Sequence, residues 1–176
     1  MIQEGQKAPD FAAPGVEAGE PAIYELFRPI GAGETVVLWF VPTTFLPTVT
    51  AELRAIERAG WHELPGLQVW VLTADTIYAA ASYADQYEFS MAFLGDSGGV
   101  ADYYGIRSDE WEGHYGVPKR AVYLVDTSWN VGFAWSIEDA FAPVDPSPVA
   151  RVAARIGERF SAAKTDVDAD YEAAFE

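Results

Sequence analysis

The sequence predicts an α/β sandwich, and three observations carry that expectation. Continuous apolar, β-rich runs alternate with stretches of helical periodicity, the last two runs flank a turn-rich spacer, and half of the residues are apolar. At 176 residues, 50% apolar and 14% aromatic, the chain has about one domain's length and enough apolar surface to bury a substantial core. That composition excludes disorder of the whole chain.

The elements follow in chain order. Residues 1–34 hold five Gly and four Pro, which suits an irregular opening with short extended pieces. Residues 36–41 (VVLWFV) form an unbroken apolar run, the pattern of a strand buried on both faces. Residues 67–73 (LQVWVLT) and 121–125 (AVYLV) repeat it, and 131–135 (VGFAW) follows the latter after DTSWN, a hairpin signal. Between residues 48 and 62, Val49, Leu53, Ile56 and Gly60 share one helical stripe. From Thr76, the residues Ile77, Ala80, Ala81 and Ala84 make a second stripe, with Asp75 as the expected N-cap. Val149, Val152, Ala153, Ile156 and Phe160 make a third, entered through DPSP, where proline suits the first helical turn. With no repeat, linker or low-complexity block, residues 1–164 read as one domain, followed by an acidic tail over 165–176 that is expected to fray.

Charge narrows the function classes. Twenty-seven Asp and Glu against eleven Lys and Arg give a net charge of −16, which repels phosphate backbones and anionic lipid and excludes nucleic-acid and membrane-surface partners. Carboxylate excess with only three lysines is also the pattern of cytoplasmic proteins from salt-loving microbes, where molar salt screens self-repulsion. The N-terminus lacks an apolar targeting core and no stretch is long and apolar enough to span a bilayer, so a cytoplasmic location is expected. There is no cysteine, which removes disulfides, thiolate metal sites and thiol chemistry together. His62 and His114 have no ligand-spaced partner, so no metal and no cofactor is expected.

Some motifs carry little chemistry. Residues 95–99 (GDSGG) match a nucleophile-elbow pattern around Ser97, whose base would be His62 with Asp75 or His114 with Asp109. Neither order fits the alternating helices and strands, so Asp96 or Ser97 is expected instead to cap the helix carrying Val100, Tyr103 and Tyr104. A serine hydrolase using Ser97 stays as the alternative reading. Asp166, Asp168 and Asp170 open like a calcium loop, but position six is Tyr171 and position twelve lies past Glu176.

The informative stretch is residues 36–53, VVLWFVPTTFLPTVTAEL, in which a buried strand runs through a proline-bounded loop into a helix N-terminus, a place suited to stabilising an anion. It resembles the active-site loop of the peroxiredoxins (the alkyl hydroperoxide reductase and thiol-specific antioxidant family), whose pattern is approximately P-x-x-x-T-x-x-C-T-x-E. Here the proline is Pro42, the threonine position holds Leu46, the peroxidatic cysteine position holds Val49, and Thr50 and Glu52 follow. GQKAPDFAAPG near the start, DSGGVADYYGI over 96–106 and YGVPKRAVYLVD over 115–126 are similar to further family segments, the last placing the family's active-site arginine on Arg120. Trp135 stands where members often have an aromatic.

The resemblance implies a thioredoxin-like fold, a central mixed β-sheet flanked by helices, and a homodimer. It also implies a degenerate site, because neither a peroxidatic nor a resolving thiol exists and valine offers no lone pair to a peroxide oxygen. Two readings of the remaining pocket stay open. Arg120 with Thr48 and Thr50 could hold a small anion, or Arg120 could pair with Glu52 while Leu46 and Val49 complete the core. The expected function is binding of a protein partner or small anion without thiol turnover. The loop 107–119, with Trp111 and Tyr115 among acidic residues, suits either an interface rim or a loop packing its own aromatics.

Overall fold

The computed structural model describes residues 1–96 and 99–175. Its centre is a seven-stranded mixed sheet with flanking helices. Strands β1 (Ala12–Glu17) and β2 (Glu20–Glu25) form an opening hairpin, and a short helix α1 (Phe27–Gly31) leads into β3 (Thr35–Val41). Then come α2 (Pro47–Ala59), β4 (Leu67–Thr73), α3 (Ile77–Tyr87), β5 (Ala92–Gly95) and α4 (Val100–Tyr103). A small outer hairpin of β6 (Glu110–Trp111) and β7 (His114–Tyr115) precedes β8 (Arg120–Val125), β9 (Val131–Ile137), α5 (Pro148–Arg159) and a last helix α6 (Tyr171–Phe175).

The sheet order is β2-β1-β5-β4-β3-β8-β9, parallel across β5-β4-β3 and antiparallel elsewhere. The period of two in a strand assigns side chains to opposite faces. Val37, Trp39 and Val41 point with Val69, Val71, Val122 and Leu124 into one apolar cluster. There they meet Val49, Leu53 and Ile56 of α2, Tyr83 of α3, and Val149, Val152 and Ile156 of α5. Val36, Leu38 and Phe40 point the other way, to Ile30 of α1 and Val100 of α4. Both faces of β3 are therefore covered, which is why its sequence is an unbroken apolar run rather than an alternation. The parity of β8 sends Arg120 to the same face as Val122 and Leu124, toward α2.

The four apolar runs are strands, within one or two residues of the expected bounds. Four points differ from the sequence reading. The stripe over 48–62 is broken at Gly60, whose left-handed backbone (φ 69°) ends α2 and starts a tight turn over Trp61–Glu63. Thr76, not Asp75, caps α3, its side chain accepting from Ala79 N. The opening residues include two paired strands, with Gly15 under the ring of Tyr24, where a Cβ would not fit. Among the described residues, the acidic tail is docked rather than frayed. It crosses α5, where a Cβ on Gly157 would collide with the Thr165 methyl, and continues with Val167 and Ala169 against the core to α6, which packs on α2.

Gly157→Ala separates helix propensity from tail docking. The substitution favours α5 by about 1 kcal/mol but displaces Thr165. Limited proteolysis should then cut within residues 161–170 while the body stays intact. Cleavage no faster than in the native chain would show that docking does not depend on this crossing.

Candidate functional site

The loop between β3 and α2 is held by a carboxylate that motif reading assigned elsewhere. Asp75, in the bend after β4, accepts hydrogen bonds from the Thr43 hydroxyl (3.1 Å), the Thr44 amide (2.7 Å), the Thr44 hydroxyl (2.8 Å) and the Thr73 hydroxyl (3.0 Å). These charge-assisted bonds fix residues 43–44 to the neighbouring strand. Phe45 then takes a left-handed backbone (φ 65°), unusual for an aromatic residue, and its half-exposed ring packs 4.7 Å from that of Tyr83. Pro47 opens α2, whose first-turn amides have no intrahelical acceptors by position.

Around that helix start, the residues that the sequence singles out come together as follows. Leu46 is buried and Val49 is fully buried, both inside the apolar cluster beneath α2. The Thr48 hydroxyl donates to Ala140 O (2.6 Å) and the Thr50 hydroxyl bonds the Tyr83 hydroxyl (2.7 Å). These two hydroxyls are committed to different elements and do not converge on Arg120. Pro42 faces elsewhere, into a cleft of about 570 Å³ at the carboxyl ends of β3, β4 and β5, beside Thr43, Asp75, Asp96 and Trp111. Arg120 is not on that cleft's wall.

Glu52 and Arg120 do meet, and both are 0% exposed. Arg120 Nε donates to Glu52 Oε1 (3.0 Å), Nη2 donates to the same oxygen, and Nη1 donates to Ala142 O (2.7 Å). Trp39 Nε1 donates to the other Glu52 oxygen at 3.3 Å. Burial pushes the Glu52 carboxyl above its ordinary range, and the Arg120 charge with the Arg120, Tyr171 and Trp39 hydrogen bonds pulls it partly back.

The remaining partner comes from the tail. Tyr171 Oη, on α6, donates to Glu52 Oε1 (2.8 Å) and accepts from Arg120 Nη2 (3.0 Å). Its ring lies 5.8 Å from the guanidinium carbon, and that of Trp135 lies 5.4 Å from it. Burial and the adjacent Glu52 charge raise the phenol well above its ordinary pKa. No motif points to Tyr171, which lies 119 positions from Glu52 in sequence. The sequence signal was the alternation of Val167, Ala169 and Tyr171 with Asp166, Asp168 and Asp170.

The other candidates are dispersed. Ser97 lies outside the described residues. Of its suggested partners, Asp75 is tied to the threonines, while His62 follows α2 and His114 sits on the outer hairpin beside Trp111. Gly99 stands at the N-cap of α4, and Asp96 accepts from the first-turn amides of Val100 (2.6 Å) and Ala101 (3.0 Å), with burial raising its pKa. Trp111 stacks on Phe141 at 5.8 Å, whereas Tyr115 stands exposed.

Comparison with known proteins agrees with this geometry. The fold is that of the peroxidoxin BcpB of Mycobacterium tuberculosis (TM-score 0.67, 24% identity, 80% of this chain and 90% of that one). It is also that of AhpC of Enterococcus faecalis (TM-score 0.71, 18% identity, 90% of this chain and 96% of that one). Both place the sheet and helices in the thioredoxin-like arrangement of the peroxiredoxins. A curated relative, the selenocysteine-containing peroxiredoxin PrxU of Peptoclostridium acidaminophilum, is 29% identical over 135 residues, which is 72% of this chain. The matched region spans 64% of that relative's length. A model of the AhpC/TSA family matches residues 4–134, well over half of the sequence. On its sheet, its loop into α2 and this match, the chain belongs to the AhpC/TSA family.

Proposed function

We propose that this cysteine-free AhpC/TSA-family chain turns over no peroxide and acts by binding, with the peroxide pocket converted into a closed structural pair. One observation carries the reading. At the place where the resemblance puts the family's chemistry, Val49, Glu52 and Arg120 are all fully buried, and the acceptors around the guanidinium come from the chain itself. Thiol peroxidase chemistry needs a sulfur lone pair that attacks a peroxide oxygen and is left as sulfenic acid. Valine supplies no lone pair, and no other sulfur but that of two methionines is present.

A small anion at Arg120 would have to displace Glu52, Ala142 O or the Tyr171 hydroxyl, so this arrangement favours binding at other surfaces or after a change in the tail. We place the protein in the cytoplasm, as a homodimer and in a salt-rich cell. The net charge of −16 supports the salt, and the family resemblance supports the homodimer.

Hydrogen peroxide consumption with dithiothreitol in molar KCl tests the chemical half. The native chain should show no loss of peroxide above buffer, and a folded Val49→Cys, Leu46→Thr chain should also stay inert because position 49 is sealed. Turnover by the native chain would overturn the reading. Substitution of the pair tests the structural half. Arg120→Met alone should cost about 3–5 kcal/mol, since it strands a buried carboxylate, and adding Glu52→Leu should restore most of that loss. A single-substitution cost below about 1 kcal/mol, as for an exposed pair, would mean that the pair is open to water.

A further inference from the structure

Resting on that binding reading, we propose that the seat of Tyr171 on Glu52 and Arg120 is a binding site for a phenolic hydroxyl, occupied by the chain's own α6. The hydrogen bonds set the chemistry of the occupant. One oxygen accepts from Arg120 Nη2 at 3.0 Å and donates to Glu52 Oε1 at 2.8 Å. Only a group that is donor and acceptor at once satisfies both neighbours. A carboxylate or phosphate oxygen there would face Glu52 Oε1 with no proton between them, a like-charge contact inside a buried site. An ether oxygen could accept but not donate, and would leave a buried carboxylate oxygen short of a partner. A neutral hydroxyl fits, so this corner selects against the small anion that a lone arginine would attract. The aromatic part is selected separately, because the Tyr171 ring and the Trp135 ring both lie within cation–π range of the guanidinium.

The occupant is held by a tether that can let go. Helix α6 has five residues and none is buried, far below the length at which a helix is stable by itself. It is ordered by its packing on α2 and by the Tyr171 hydroxyl. The ten preceding residues are anchored by Val167 and Ala169, which are only partly buried against the core, and by long bonds at Ser147: Ser147 N donates to Asp168 (3.3 Å) and Ala169 N donates to the Ser147 hydroxyl (3.4 Å). A free phenol therefore competes with an intramolecular one for a site that the rest of the fold holds in shape.

Chemical complementation of the full-length Tyr171→Gly chain tests this with 4-methylphenol, which matches the missing side chain. Titration calorimetry and thermal unfolding should show saturable binding and stabilisation, roughly 10- to 100-fold tighter than toluene or 4-methylanisole, which lack the donated proton. Under the same conditions 4-methylbenzoate should not bind. The native chain, with its seat filled, should bind 4-methylphenol at least about tenfold more weakly than the variant, the reverse of a site elsewhere. Equal binding of toluene and 4-methylphenol, tighter binding of 4-methylbenzoate, or no binding at all would each overturn the assignment. Tyr171→Phe provides a second, ring-preserving variant: its tail should be cut faster by protease than the native tail, and unchanged cutting would count against the hydroxyl. The peroxide assay, run on the same samples, keeps the two proposals apart. Turnover there would sink the binding reading, whereas failed complementation without turnover would sink only the phenol site.

Discussion

A guanidinium removed from water must satisfy its donors inside the protein, and the way Arg120 does so shapes this whole end of the molecule. It stands at the first residue of β8, directed toward α2 by the strand's parity, and meets the carboxylate that α2 carries one turn inside its start. The pair joins a central strand to the helix, Ala142 O draws in the loop after β9, and Tyr171 draws in the tail. Removing either charge strands the other in a low-dielectric interior, which is costly, although the intact pair by itself adds little net stability. Its value is geometric: it fixes which elements touch.

The same pair lies where the resemblance puts the family's site, in a chain without the family's sulfur. A helix start after a proline-bounded loop remains, organised by Asp75 gripping Thr43 and Thr44. What such a start would polarise has gone, because Val49 has turned into the core and Leu46 follows it. In the function proposed above, buried apolar side chains at these two positions fill the space rather than leave a pocket open. The open cleft nearby lies at the other side of the loop, beside Pro42, and is separate from the pair.

Legibility in the sequence followed burial. Strands β3, β4 and β8, covered on both faces, are continuous apolar runs and were readable as such. Strand β5 has four residues, AFLG, too few to show a period, and β1 and β2 lie where proline and glycine mask extended backbone. Asp75 was misplaced because a carboxylate before a helical stripe looks like a cap. Its partners lie about thirty residues earlier, across a strand pairing that spacing alone does not reveal. Val49 also lay on a helical stripe, but its match to the family's cysteine position, and the choice of Glu52 and Arg120, came through the pattern of a known family. Tyr171 was missed because the alternating aspartates over residues 166–170 read as a solvated tail, whereas the tail docks through Val167 and Ala169, the Tyr171 hydroxyl and the room left at Gly157.

The central claim is that Tyr171 closes the Glu52–Arg120 pair in solution. Carbon-13 NMR of the tyrosine Cζ resonances through an alkaline titration tests it most directly. The Tyr171 signal, assigned by its loss in Tyr171→Phe, should remain at its phenol position well past the ordinary tyrosine pKa of about 10, because burial and the Glu52 charge oppose ionisation. Movement to the phenolate position near the ordinary value, with the body still folded, would show a tail free in water and would contradict the account.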